Sequence, residues 1–120
     1  MKAKELGYLG EKIAAEFLCK KNYKILAQNF TIRGGELDIV AKQKNTLVFI
    51  EVKTRTSLTY GHGLESIDQL KKLRMQRTIN RYLDKNCPNY ECDYRIDLIE
   101  ITLDKESGRY KRIIHIRDVE

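Results

Sequence analysis

The chain reads as one α/β sandwich, a mixed five-stranded sheet with helices packed on it in the order α-β-β-β-α-β-β. Three observations predict this. The N-terminal stretch carries apolar residues at helical spacing, a second helix start lies past the middle, and the remaining apolar residues alternate with polar ones between glycine and asparagine turns. Two helices among five strands are too few alternations for a doubly wound fold. At 120 residues and 42% hydrophobic content, one domain over the whole chain is expected, burying roughly two-thirds of its unfolded surface. Neither a linker nor a composition shift nor an internal repeat argues for a second domain.

Leu6, Leu9, Ile13, Phe17 and Leu18 recur every three to four residues, which predicts an amphipathic helix from about Lys4 to Lys21, broken at Asn22. Tyr23 to Ile32 mixes apolar and polar residues at strand spacing, and Arg33-Gly34-Gly35 supplies the turn out of it. The next two strands form a hairpin centred on Lys44 and Asn45. In that register Leu37 meets Val52, Ile39 meets Ile50 and Ala41 meets Val48 on one face. A polar loop from Thr54 to Gly63 follows, ending in Gly61-His62-Gly63. Ser66-Ile67-Asp68-Gln69 fits a capping box, so a second helix should run to about Lys85 and stop at Cys87-Pro88. Tyr94 to Leu103 and Tyr110 to Ile116 alternate around a Gly108 turn, as an antiparallel strand pair does.

The net charge of +6 favours an anionic partner, nucleic acid or a membrane headgroup. The N-terminus lacks an apolar core of signal-peptide length, and Leu47 to Ile50 is too short to span a bilayer, so a soluble cytoplasmic protein with no membrane partner is expected. Cys19, Cys87 and Cys92 are an odd set without an export signal and are read as reduced thiols; with His62 or His115 their spacing does not make a zinc site.

The same hairpin register puts charges on its other face. Asp38 meets Glu51, and Glu36 meets Lys53, with Val40 and Phe49 on that face as well. Opposed carboxylates are unfavourable neighbours unless a cation sits between them. Mg²⁺ or Mn²⁺ takes oxygen ligands from one or two carboxylates, and the Val52 carbonyl could complete the shell around Asp38 and Glu51. Lys53 points to the same face, where an amine can hold an attacking water or steady charge growing on a phosphoryl group. This set suits phosphodiester hydrolysis. Glu36 with Lys53 is equally read as a surface ion pair.

These residues resemble the PD-(D/E)xK nuclease pattern: Asp38, Glu51-x-Lys53 and, on the preceding helix, Glu11. Within it, Gly10-Glu11 with Ala14 and Ala15, Asn29-Phe30, Gly35-Glu36-x-Asp38 and Phe49-x-Glu51-Val52-Lys53 resemble the poorly characterised bacterial YraN-type proteins, near the Holliday junction resolvase branch. The resemblance implies a restriction-endonuclease-like core, a metal bound by Asp38 and Glu51 with Glu11 contributing, and Lys53 acting in catalysis. It implies a metal-dependent DNA endonuclease, with branched DNA such as a Holliday junction as substrate. Symmetric cleavage of a junction would need a homodimer. The proline of the superfamily motif is Leu37 here.

Lys71, Lys72, Arg74, Arg77, Arg81 and Lys85 make the second helix the most basic element, and phosphate contacts are expected from it. Arg33, Arg55, Thr56 and Ser57 are placed on loops beside the metal, where they could hold phosphates flanking the scissile bond. Gln69 could assist the site, although capping suffices to explain it. His62 could touch substrate but reads first as an exposed loop histidine, and His115, between Ile114 and Ile116, reads as structural. The rival to an enzyme is a nucleic-acid-binding module, or an accessory subunit of a DNA-processing complex, that keeps the fold without turnover.

Overall fold

The computed structural model describes residues 2–56 and 69–119. Helix α1 spans Ala3–Lys20 and ends where Asn22 turns to φ 68°, a left-handed conformation that asparagine tolerates better than most side chains. Strands β1 (Lys24–Ile32), β2 (Gly35–Gln43) and β3 (Thr46–Arg55) follow through turns at Gly34 and Lys44, both with positive φ. Helix α2 (Gln69–Asn86), a single 3₁₀ turn (Pro88–Tyr90), β4 (Asp93–Leu103) and β5 (Tyr110–Ile116) complete the order. The five strands form one sheet in sequence order, antiparallel except for β3 and β4. A parallel neighbour requires a crossover, and α2 lies within that crossover. Among the described residues no helix is long and apolar enough to cross a membrane.

The fold class is the one predicted, and so are the β2–β3 pairs Ile39 with Ile50, Val40 with Phe49 and Ala41 with Val48. One helix covers each face. Leu6, Ala14, Ala15 and Leu18 of α1 pack on Ile39, Ala41, Val48, Ile50, Ile99 and Ile101. On the opposite face Met75, Ile79, Tyr82 and Leu83 of α2 pack on Val40, Leu47 and Phe49. The Tyr82 ring meets Phe30 and Phe49 edge-on at centroid distances of 5.3 and 5.7 Å, an arrangement that adds about 0.5–1.5 kcal/mol per pair beyond area burial.

Three expectations change. Leu37 was assigned to the face of Ile39 and Ala41, yet it belongs to the α2 cluster. The alternation breaks at Asp38: the β1–β2 pairing passes from Gln28 with Ile39 to Phe30 with Leu37, skipping Asn29, whose φ is 53°. The left-handed residue turns both strands, so Phe30 and Leu37 cross to α2 together. The loop expected from Thr54 starts later, because β3 pairs with β4 through Arg55; Ser57, His62 and the cap residue Ser66 lie outside the described residues. The reduced-thiol reading fails for two cysteines: Cys87 and Cys92 form a disulfide, brought to a Cα separation of 6.2 Å by the 3₁₀ turn between them, while Cys19 is free and exposed.

Two glycines set how closely the helices sit. A methyl group at Gly10 would lie 2.0 Å from Thr54 Oγ1 of β3, and one at Gly35 would lie 2.1 Å from Thr78 Oγ1 of α2. Each is followed in the chain by a glutamate, Glu11 or Glu36. Gly10→Ala should therefore push α1 off the sheet and cost about 1–3 kcal/mol, as overpacking does. Gly7→Ala, on the same helix with nothing within 4 Å, should stabilise by roughly 0.5–1 kcal/mol. Urea unfolding of both variants checks this, and equal effects would contradict the close-approach account.

Candidate functional site

The glycine contacts bring three carboxylates from two elements to one point. Glu11 of α1, Glu36 near the start of β2 and Asp38 at the β2 break each offer an oxygen within 4.8 Å of the others. The Asp38 carboxylate also accepts the backbone N–H of Val52, Oδ2 to N at 2.9 Å. The paired residues of β2 and β3 end at Ile39 and Ile50, and beyond them this side chain ties the strands.

Asn29 holds two of the carboxylates. With its amide assigned so that the nitrogen faces them, it donates to Glu11 Oε1 at 3.0 Å and Glu36 Oε1 at 3.3 Å. The sequence reading noted Asn29 only as a flank. Its signal was an asparagine inside a strand, a residue depleted from strands and able to take the left-handed conformation found here.

Asp38, Glu36 and Glu51 line one cleft of about 640 Å³ together with Lys71 and Arg74 from α2. Glu51 is buried at the end of the apolar part of β3. The ammonium of Lys71 ion-pairs with its carboxylate, so the first turn of α2 closes over the site. Glu11 borders a second cleft, with Val52, Thr54, Arg55 and Thr56 along the end of β3.

Electrostatics follow from this crowding. Burial above all, then the Glu51 charge and more weakly Glu11 and Glu36, raise Asp38 from its ordinary 3.8 to about 7, against the lowering effect of the Val52 N–H. Glu11 is raised as well, by burial first and by Glu36 and Glu51 next, with Asn29 opposing. Carboxylates that repel one another in a partly buried cleft form a donor set suited to a hard divalent cation, whose charge would offset the repulsion.

The predicted residues divide as follows. Asp38, Glu11 and Glu36 meet, and Glu51 shares the cleft of Asp38 and Glu36. Lys53 lies on β3 beside Glu100 of β4, half-buried, two residues along the strand from Glu51. Arg55 is the last residue of β3 and not a loop residue, because its pairing with Thr102 extends the strand; Thr56 follows at a bend. Arg33 is exposed in the β1–β2 turn, and Gln69, Lys72 and Arg74 are exposed on α2. His115 lies away from the cleft against Asp97, Nε2 to Oδ2 at 2.8 Å, in the structural role expected of it.

Comparison with known proteins gives a family. Residues 10–101 match the description "Uncharacterised protein family UPF0102". The chain belongs to this family. A UPF0102 protein of Caldanaerobacter subterraneus subsp. tengcongensis is 41% identical over 94% of this chain and 92% of its own. One from Caldicellulosiruptor saccharolyticus is 43% identical over 84% of this chain and 85% of its own, and one from Clostridium botulinum is 39% identical over 89% and 87%. The matched span of the UPF0102 family runs from Gly10, at the α1–β3 contact, to Ile101 in β4, and so contains all four carboxylates and Lys53.

Because the folded pKa of Asp38 is raised, the folded state binds more protons than the unfolded chain between about pH 4 and 7, and this group's contribution to stability falls as pH rises through that window. With chelator present, Asp38→Asn should stabilise the protein at pH 7.5 by roughly 1–3 kcal/mol and change little at pH 4.5. Thermal unfolding at the two pH values checks this; a variant destabilised equally at both would contradict it.

Proposed function

We propose that this protein is a metal-dependent DNA endonuclease that hydrolyses phosphodiester bonds, acting on branched DNA. The observation that carries the reading is the convergence of Glu11, Glu36 and Asp38 within 4.8 Å, with Glu51 lining the same cleft as Glu36 and Asp38 beneath a basic helix. Mg²⁺ or Mn²⁺ would be held by Asp38 with Glu51 and Glu11, the Val52 carbonyl completing the shell, and Glu36 stands close enough to join. A cation there supplies Lewis-acid polarisation of the phosphate and an acidified water.

The chain's own residues do the rest. Asp38 is fixed by the Val52 N–H through one oxygen, which leaves the other for the cation. Lys53, on the strand face of Glu51, orients the attacking water or offsets charge gathering on the phosphoryl oxygens. Lys72, Arg74, Arg77 and Arg81 are exposed along α2 and suit phosphate contacts flanking the scissile bond. Arg33 in the β1–β2 turn suits the same work.

A second reading, a DNA-binding module without turnover, is favoured by one observation. Lys71 occupies the Glu51 carboxylate that hydrolysis would need. The ammonium already offsets the Glu51 charge that a cation would offset, as it would in a module without turnover.

Purified protein incubated with Mg²⁺ or Mn²⁺ and four-way, flapped and linear DNA separates the two. Cleavage that Glu51→Ala and Lys53→Ala each reduce by 100-fold or more, with branched DNA preferred, is the expected result. Binding that is steeply salt-dependent but indifferent to metal and to Asp38→Asn, with no cleavage above the Glu51→Ala background, would support the binding module instead.

A further inference from the structure

We propose that Arg55 and Arg112, anchored by the buried carboxylate of Glu100, form a second phosphate-contact platform for the DNA backbone, on the side of the site away from α2; this rests on the nuclease reading. Sheet register sets the geometry. Glu100 lies beside Lys53, and Thr102 lies between Arg55 on β3 and Arg112 on β5. Ile99, Ile101 and Leu103 pack toward α1, so Glu100 and Thr102 face the other way, with Glu51, Lys53 and Arg55. That face therefore continues from Glu51 through Lys53 to Arg55 along one strand and across to β5.

Glu100 is 1% exposed, yet neither of its oxygens accepts a hydrogen bond among the described residues. Its partners are cations: Arg55 Nε at 3.4 Å and Arg112 Nη2 at 3.9 Å. A carboxylate withdrawn from water is costly unless its charge is used, and an apolar residue would fill the site more cheaply. Here the charge draws two arginines from neighbouring strands toward one point while their side chains stay 31% and 42% exposed. A guanidinium has five N–H donors in a planar fork, so one held along an edge can present another to a phosphate. α2 packs mainly over β1 and β2 and reaches β3 at Leu47 and Phe49, whereas Arg55 and Arg112 lie on either side of β4, toward the other edge of the sheet. A DNA backbone crossing the cleft would be gripped on both sides.

Fluorescence anisotropy with labelled duplex and four-way DNA, in Ca²⁺ and across a salt series, tests this on wild type, Arg112→Ala and Glu100→Gln. Arg112→Ala should weaken binding and lower the slope of log affinity against log salt on the duplex by about 0.9, one phosphate contact. Glu100→Gln should weaken binding several-fold at an unchanged slope, because the cations remain but lose their anchor. Both variants should keep the wild-type stabilisation by Mn²⁺, which separates the platform from the carboxylate cluster. Should Glu100→Gln fail to fold, the exposed Arg112→Ala carries the test alone. A wild type that binds and cleaves DNA while Arg112→Ala matches it in affinity and slope overturns the platform only. A wild type that binds no DNA overturns the nuclease reading and the platform together.

Discussion

The hydrogen bond from the Val52 N–H to the Asp38 carboxylate is the contact on which the arrangement of the site depends. An antiparallel hairpin normally ties its strands through main-chain groups alone. Here the paired residues stop at Ile39 and Ile50, and a side chain continues the connection. The substitution has two consequences. It anchors a partly buried carboxylate at the mouth of the cleft, and it lets β2 change faces so that Leu37 packs under α2 while Ile39 packs under α1. Asn29, at the skipped position of β1, makes the same turn and then bridges Glu11 and Glu36. One irregularity in two strands thus brings three acids together.

Such a cluster opposes folding in isolation. With its pKa raised to about 7, Asp38 resists ionising near neutral pH, which costs stability as clustered carboxylates at functional sites often do. The helices offset that cost. Close approach at Gly10 and Gly35 lets α1 and α2 each bury an apolar stripe on the sheet, and these same contacts set the positions of Glu11, Glu36 and Lys71. Packing and site are the same construction.

Much of this was legible in the sequence because it follows from period two. The Lys44 turn and the pairs Ile39–Ile50 and Ala41–Val48 are a local pattern; beyond them the expected pairing of Asp38 with Glu51 gives way to the Asp38 contact with the Val52 N–H, and the two carboxylates share a cleft. Glu11 could not be read from its helix, where it lies off the apolar stripe; it reaches the site through a tertiary contact at Gly10, and only family resemblance pointed to it. Leu37 was misplaced because alternation was assumed to continue through Asp38, while a left-handed asparagine on the neighbouring strand interrupts it. The Cys87–Cys92 disulfide is not legible from cysteine count and compartment, because a Pro88–Tyr90 turn supplies its geometry. Glu100 gave no signal in a strand where polar and apolar residues alternate, since its partners come from two other strands.

If the carboxylates gathered around Asp38 bind a divalent cation, stability must respond to that cation through Asp38. Mn²⁺ titration followed by thermal unfolding at pH 7.5, on wild type and Asp38→Ala, tests it most directly. The wild type should be stabilised progressively, by about 2.7 kcal/mol once Mn²⁺ reaches 100 times its dissociation constant, while Asp38→Ala should not respond. Equal stabilisation of the two proteins, or none of either, would contradict it.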